Sequence, residues 1–218
     1  MAGWGEFIAA FAVFFLSHSI PVRPANKARV VARIGARGFT LGYSALSIAV
    51  LTWLIVAAGR APMVVLWAWA PWQNHVPLVA MALVCVIACL ALGRPNPLSF
   101  GGMNNAAFDP AQPGIVGWIR HPLLLALLLW SLSHMLANGT LSHVILFAVF
   151  AGFSLLGMKI IDRRQKRVLG IETWTQMSQT SRRLSVTVGG LIRVMIAAAL
   201  YGVLLWLHGP VIGAFPLG

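Results

Sequence analysis

The sequence predicts an all-α protein, a polytopic bundle of transmembrane helices, and three observations support this prediction. The chain of 218 residues is 59% hydrophobic and only 9% charged, a balance that excludes a soluble globular enzyme. Its apolar residues gather in stretches of about 20, the length that an α-helix needs to cross the hydrocarbon core of a bilayer. Its basic residues stand between those stretches, as they do in the loops of membrane proteins.

Six stretches are predicted to span the membrane. The first has no Lys or Arg ahead of it, so it lacks the basic start of a secretory signal peptide and is expected to be retained. Between the second and third, Ala61–Trp72 is apolar but too short to cross, and its tryptophans suit the headgroup zone of a membrane surface. The predicted spans are Trp4–Ile20, Gly38–Ala58, Val76–Leu92, Pro122–Ala137, Leu141–Ile161 and Val186–Ile212.

The charge of the chain predicts its orientation. Sixteen Lys and Arg against four Asp and Glu give a formal net charge of +12. On a soluble protein this excess would suggest a nucleic-acid partner, but here the charges alternate with apolar spans, so no nucleic acid is predicted. All basic residues except Arg60 and Arg193 lie in the first, third and fifth loops, and Arg193 is close enough to snorkel to the same side. Six spans then place both termini on the non-cytoplasmic side.

Three histidines lie in or beside the predicted spans, where an ionisable group is costly and suggests a function until a structural partner explains it. His18 is near the cytoplasmic end of the first span, His121 opens the fourth, and His134 lies within the fourth. A helical rise of about 1.5 Å per residue separates His121 from His134 by about 20 Å and turns them roughly 220° apart. These two imidazoles therefore cannot face one another in a single site.

A polar stripe is predicted along the fourth span. The spacings i, i+3 and i, i+4 place four residues on one helix face: Trp130, Ser131, His134 and Asn138. Such a face is expected to look into the bundle and not at lipid. From spacing alone His134 is either a hydrogen-bonded tie to a neighbouring helix or an axial ligand of haem iron, and a b-type haem needs no Cys-x-x-Cys-His attachment.

Three short motifs then stand out: Ser17-His18-Ser19, Ile119-Arg120-His121-Pro122, and Leu132-Ser133-His134-Met135-Leu136-Ala137-Asn138-Gly139. Together they resemble the NnrU family of small prokaryotic membrane proteins, and the resemblance covers most of the chain. Asp162-Arg163-Arg164 also looks like the family pattern. The resemblance implies a single integral domain over residues 1–218, in a cell inner membrane, that acts in denitrification-linked (nitrite or nitric oxide) redox physiology.

The NnrU family is similar to the plant 15-cis-zeta-carotene isomerase, a b-haem enzyme, and this relation implies roles for particular histidines. His18 and His134 match its proposed axial haem ligands, and His121 matches a further histidine. By depth in the membrane His121 is the better partner for His18, so both pairings stay open. The implied cofactor is haem b, and the implied cofactor-binding residues are His18, His121, Trp130, Ser131, His134 and Asn138, with His18 and His134 on the metal.

Whether the chain is an enzyme stays open at this point. The isomerase relation implies a haem-dependent cis-trans isomerase-like activity on a lipophilic small molecule. The isomerase carries a cysteine one turn before its second ligand, however, where this chain has Ser131, and serine is a poor substitute for thiolate at iron.

Two functions other than the haem-dependent one remain open from the sequence. Arg-His-Pro before a span also resembles the membrane methyltransferases of phospholipids and isoprenylcysteine, but here Pro122 is followed by three leucines and Glu172 is the only later glutamate. The other alternative is a non-enzymatic accessory protein for the maturation of respiratory or denitrification enzymes. Its basic fifth loop would then meet anionic membrane lipid or an acidic partner. The sequence does not predict an oligomeric state.

Overall fold

The structure is a computed structural model and describes residues 2–183 and 185–217. Within these ranges the chain is helical, with an isolated bridge between Val65 and Thr140 and no strand. The all-α prediction is therefore confirmed. The α-helices of the described ranges are α1 (Ala2–Ser19), α2 (Pro24–Arg60), α3 (His75–Ala91), α4 (Pro122–Ala137), α5 (Leu141–Leu169), α6 (Ile171–Ser178) and α7 (Val188–Ile212).

An α-helix covers most of each predicted apolar stretch. Four are long and apolar enough to cross a membrane: α2, α3 together with the 3-10 turn Pro71–Asn74, α5 and α7. The shorter helix α4 is also apolar, and its bounds are those predicted for the fourth span. A protein with several membrane-type helices is thus confirmed, and the count of six spans stays a prediction.

The second helix begins much earlier than the predicted span, because the first loop is itself helical. Pro24 stands in the first turn of α2, where its fixed φ suits a helix and its missing N–H costs nothing. The regular helix is interrupted at Gly35, whose φ of 75° is a conformation that only glycine adopts without strain. The Nζ of Lys27 lies 5.5 Å from the centre of the Phe39 ring. Twelve residues of straight helix would separate them by about 18 Å, so α2 turns sharply at Gly35.

The fifth helix also extends beyond the end of its predicted span. It continues through a run of basic residues, which are good helix formers, and ends at Leu169. Gly170 then takes a φ of 80°, which redirects the chain before α6 begins at Ile171. The predicted fifth loop is therefore largely two helices joined at a glycine.

The chain folds as two compact units, and the first contains α1, α2, the chain as far as Trp67, and Thr140–Leu146. Phe7 of α1 and Leu54 of α2 are buried in it. Glu6, an acid inside an apolar helix, accepts hydrogen bonds from Trp53 Nε1 at 3.2 Å and from Arg60 Nη1 at 3.3 Å. An ionised group in such a helix is expected to have partners of this kind.

The second unit contains the chain from Ala68 to Gly139 and from Phe147 onward, with α3 packed against both α4 and α7. Arg193 of α7 donates from Nη1 to the carbonyl oxygens of Cys89 and Leu92, each at 2.7 Å. These carbonyls belong to the end of α3, where a helix lacks its own donors. Arg193 therefore ties α7 to α3 within this unit.

The third loop, Gly93–Arg120, is ordered by side-chain hydrogen bonds and not by regular helix. The buried Asn96 donates from Nδ2 to the carbonyl of Arg120 and accepts at Oδ1 from the N–H of Leu98, both at 3.1 Å. Farther along the loop, the carbonyl of Pro110 accepts from the N–H of Ser181 at 2.9 Å. The loop is thus fixed against the start of α4, and this sets the position of His121.

Replacing Arg193 with Met should destabilise the second unit. The change keeps an unbranched side chain but removes two charge-assisted hydrogen bonds, which together contribute about 1–3 kcal/mol. We expect a lower midpoint of thermal unfolding in detergent, measured by circular dichroism. The exposed Arg94→Met is the matched control and should unfold like the parent chain; an equal loss in both variants would contradict the prediction.

Candidate functional site

His134 lies in the last turn of α4, and its ring is held by its own helix. Nδ1 is 2.8 Å from the carbonyl oxygen of Trp130, and the hydroxyl of Ser133 donates to the same carbonyl at 3.1 Å. Because a carbonyl can only accept, the proton of the neutral imidazole sits on Nδ1. Nε2 therefore carries the lone pair. A neutral imidazole in this tautomer can bind a metal through Nε2.

Aromatic rings surround the His134 imidazole. The ring centres of Trp130, His134 and Phe147 form a triangle with sides of 5.2, 5.5 and 5.6 Å. Phe150 also packs against Trp130, with the ring centres 5.6 Å apart. The imidazole is thus half-buried in an apolar setting that fixes its plane.

The other members of the polar stripe support the backbone of α4. Asn138 donates from Nδ2 to the carbonyl of His134 at 2.8 Å, which satisfies an end carbonyl of the helix. Ser131 is fully buried, and its hydroxyl donates to the carbonyl of Leu127 at 2.7 Å. The structure therefore brings Trp130 and Asn138 to His134, whereas the Ser131 hydroxyl serves its own helix.

His18 lies in the last turn of α1 and belongs to the first unit. Its Nδ1 is 2.8 Å from the carbonyl oxygen of Phe14, to which the Ser17 hydroxyl also donates at 3.0 Å. The Phe14 ring stacks on the imidazole at 4.1 Å, and the edge of Tyr43 approaches at 5.8 Å. By the same reasoning the proton of the neutral ring sits on Nδ1, and Nε2 carries the lone pair.

His18 and His134 thus share one local arrangement, and a short sequence pattern encodes it. Residues 14–18 read Phe-Phe-Leu-Ser-His and residues 130–134 read Trp-Ser-Leu-Ser-His, an aromatic residue, any residue, Leu, Ser and His. In both copies one carbonyl accepts from the serine hydroxyl and from Nδ1. The sequence prediction singled out the histidines but missed this repeated pattern, which was visible in the sequence.

His121 has a different environment at the opposite end of α4, within the second unit. Its side chain is 7% exposed, with Nε2 3.1 Å from Asp162 Oδ1 and Nδ1 3.0 Å from Ser99 Oγ. Arg120 donates from Nη1 to the other carboxylate oxygen of Asp162 at 2.9 Å. Burial lowers the pKa of His121 below its usual range, although the neighbouring Asp162 opposes this shift. Asp162 and Ser99 were not predicted as its partners, because they are distant in sequence.

Two further histidines serve local structure. His143 lies 2.8 Å through Nδ1 from the hydroxyl of Thr140, and His208 lies 2.7 Å through Nδ1 from the carbonyl of Ala214. Among residues 2–183 and 185–217, no three or more His, Cys, Asp or Glu side chains form a group that could hold a metal ion. Cys85 and Cys89 are free thiols on α3.

Comparison with known proteins gives one match. A family model with the description NnrU protein matches residues 6–216, nearly the whole chain. Searches of curated proteins and of solved structures each returned no match.

The lowered pKa of His121 predicts an acid-sensitive fold. The unfolded chain takes up the proton at about the usual pKa of 6.5, before the folded chain does, so the free energy of unfolding should decrease as the pH falls below that value. Thermal unfolding between about pH 7.5 and pH 5 measures this slope. His121→Gln should show a smaller loss than the parent chain, and His75→Gln, which changes an exposed histidine, should keep the parent slope. Equal slopes in the parent chain and in His121→Gln would contradict the assignment.

Proposed function

Because the chain belongs to the NnrU family, we propose that it is a multi-pass inner-membrane protein that binds one b-type haem, with His18 and His134 as the axial ligands. The observation that carries the proposal is the arrangement common to these two imidazoles. Each Nδ1 donates to the carbonyl four residues earlier, so each Nε2 presents a lone pair. Haem iron is held by imidazole nitrogens from helices, and a hydrogen bond at the opposite ring nitrogen orients such ligands.

The alternative for these histidines is a hydrogen-bonded tie between helices. Such a tie would engage Nε2, the ring atom that faces away from the helix's own carbonyl. In the part of the chain that the structure describes, neither His18 nor His134 has a hydrogen bond at Nε2. A tie would show a hydrogen-bond partner at Nε2, whereas a ligand role needs this atom to be open, and this difference favours the ligand role.

His121 is the less suitable ligand, although depth alone favoured it as the partner of His18. Its two ring nitrogens already meet Ser99 and Asp162. To bind iron it would have to release one of these buried partners and leave it unsatisfied. The same contacts argue against a methyltransferase, in which the Arg-His-Pro element would have to meet a cofactor.

The residues around each imidazole have definite tasks in this proposal. The carbonyls of Phe14 and Trp130 orient the rings and increase the basicity of Nε2. Phe14 and Phe147 exclude water from the ring faces. When bound, haem supplies one-electron redox chemistry, with a potential set by its axial ligands, their hydrogen bonds and burial.

We assign this haem to denitrification-linked redox physiology, which the family resemblance implies. An isomerase-like reaction on a lipophilic molecule is a narrower form of the proposal, and Ser131 weakens it. Its buried hydroxyl donates to the carbonyl of Leu127, and a serine oxygen is a poor substitute for thiolate at iron. We therefore propose a haem-binding redox protein, whether it acts alone or assists a respiratory enzyme.

The proposed topology has six spans with both termini on the non-cytoplasmic side. Each of the six predicted stretches overlaps an α-helix, and nearly all basic residues are assigned to the odd-numbered loops between the stretches. The first of these loops and the fifth are largely helical, so their charges are carried on α2 and on the end of α5.

Haem content tests the proposal directly. The full chain, purified in detergent from cells supplied with iron and a haem precursor, should give a b-type pyridine haemochrome near one haem per chain. We expect His134→Ala and His18→Ala each to lose the haem or to change its reduced spectrum, because an axial ligand is removed. The control variants His75→Gln and His121→Gln should keep the parent spectrum.

Two results would overturn the haem proposal. One is a chain without haem under these conditions. The other is full haem with an unchanged spectrum in both His18→Ala and His134→Ala. Loss of haem in His121→Gln, with retention in His134→Ala, would instead reassign the second ligand to His121.

A further inference from the structure

The basic end of α5 forms an open groove that the haem proposal does not use. The groove is shallow and largely open, has a volume of about 520 Å³, and is lined by Ile160, Arg163, Lys166 and Arg167. All four residues lie on consecutive turns of one helix, in the second unit. The groove therefore presents three cations beside one apolar side chain.

These three cations have no acidic partner in the part of the chain that the structure describes. The nearest acid in sequence, Asp162, is already occupied: Oδ2 accepts from Arg120 and Oδ1 meets His121. Three cations within two turns of a helix repel one another, and a bound anion would relieve that repulsion.

An aromatic ring holds one of the cations in place. The Nζ of Lys166 lies 4.2 Å from the centre of the Trp174 ring on α6, and the Cζ of Arg120 lies 4.8 Å from it. Arg120 is neutralised by Asp162, whereas Lys166 is not. Stacking on Trp174 restricts Lys166 to the side of the groove, so the entropy cost of ordering it for a ligand is partly met in advance.

The helix face that leads to the groove changes from apolar to basic. Leu156 and Ile160 are each 60% exposed, and Arg163 and Arg167 follow them at spacings of three and four residues. The four residues form one stripe, and about 10 Å separates Leu156 from Arg163 along the axis. A phospholipid has the same order of groups, with acyl chains followed by a phosphate.

We propose that this groove binds the phosphate-bearing headgroup of an anionic phospholipid. Arg163, Lys166 and Arg167 contact the phosphate, and the acyl chain lies along Leu156 and Ile160. Basic residues beside an apolar span attract anionic lipids because each adds a favourable charge interaction at the membrane surface. Three cations on one helix face beside an apolar stripe, with Lys166 stacked on Trp174, make this a local site and more than a general attraction to negative membranes.

Native mass spectrometry of the full chain tests the site. The chain is released from mixed micelles that hold equal amounts of dioleoylphosphatidylglycerol and dioleoylphosphatidylcholine, which share their acyl chains and differ in charge. The parent chain should retain the anionic lipid in at least about tenfold preference, and the triple variant Arg163→Gln, Lys166→Gln, Arg167→Gln should lose that preference.

The matched control removes the same charge elsewhere: Arg29→Gln, Arg33→Gln, Arg37→Gln on α2 should keep the preference. Arg163→Lys with Arg167→Lys, which keeps the charge, should keep it as well. An equal loss in the α2 triple variant would overturn the proposal, because a general charge effect would then explain the binding.

If the triple variant fails to fold, measurements on the parent chain alone still test the lipid site. Glycerophosphoglycerol, the water-soluble headgroup without acyl chains, should not displace the lipid at millimolar concentration. Displacement by it would overturn the lipid assignment in favour of a free phosphate ester. Equal retention of the two lipids by the parent chain would overturn the proposal outright.

Discussion

The carboxylate of Asp162 holds the basic end of the second unit together, because it contacts both Arg120 and His121. Its two carboxylate oxygens meet Arg120 and His121, the residues that immediately precede α4, and so join α5 to the start of α4. Asn96 extends the connection to the third loop through the carbonyl of Arg120. One carboxylate thus neutralises one arginine and orients one buried histidine, and among the described residues it forms no ion pair with the basic residues that follow on α5.

His18, His121 and His134 fall into two kinds, according to which ring nitrogens form hydrogen bonds and with which parts of the fold. At His121 both ring nitrogens are bound by side chains from other parts of the fold, which is typical of a histidine that holds structure together. The imidazole rings of His18 and His134 form only local hydrogen bonds, through Nδ1, in the described ranges. A local bond of this kind gives no link to another helix, so its physical effect is to orient the ring and fix its tautomer.

The sequence was informative where structure is local. The bounds of α4 could be predicted because Pro122 suits a helix start and Ala-Asn-Gly follows the apolar run. The early start of α2 and the late end of α5 could not be predicted in this way. The prediction assigned basic residues to loops because they are charged, although Lys and Arg are good helix formers. His121 and Asp162 are 41 residues apart in the sequence, and no local sequence pattern predicts that they pair. The repeated aromatic-x-Leu-Ser-His pattern was local and could have been found.

The turn at Gly35 determines how far the first group of basic residues extends. A flexible loop between two spans would let its arginines move freely through the water beside the membrane. Here the arm of α2 that begins at Pro24 folds back, which brings Lys27 to the Phe39 ring. The charges are therefore carried on a helical arm that bends at Gly35 and lies beside the apolar part of α2. A molecule that binds these arginines must therefore come close to the apolar part of α2, because the helical arm does not extend away from it as an open loop would.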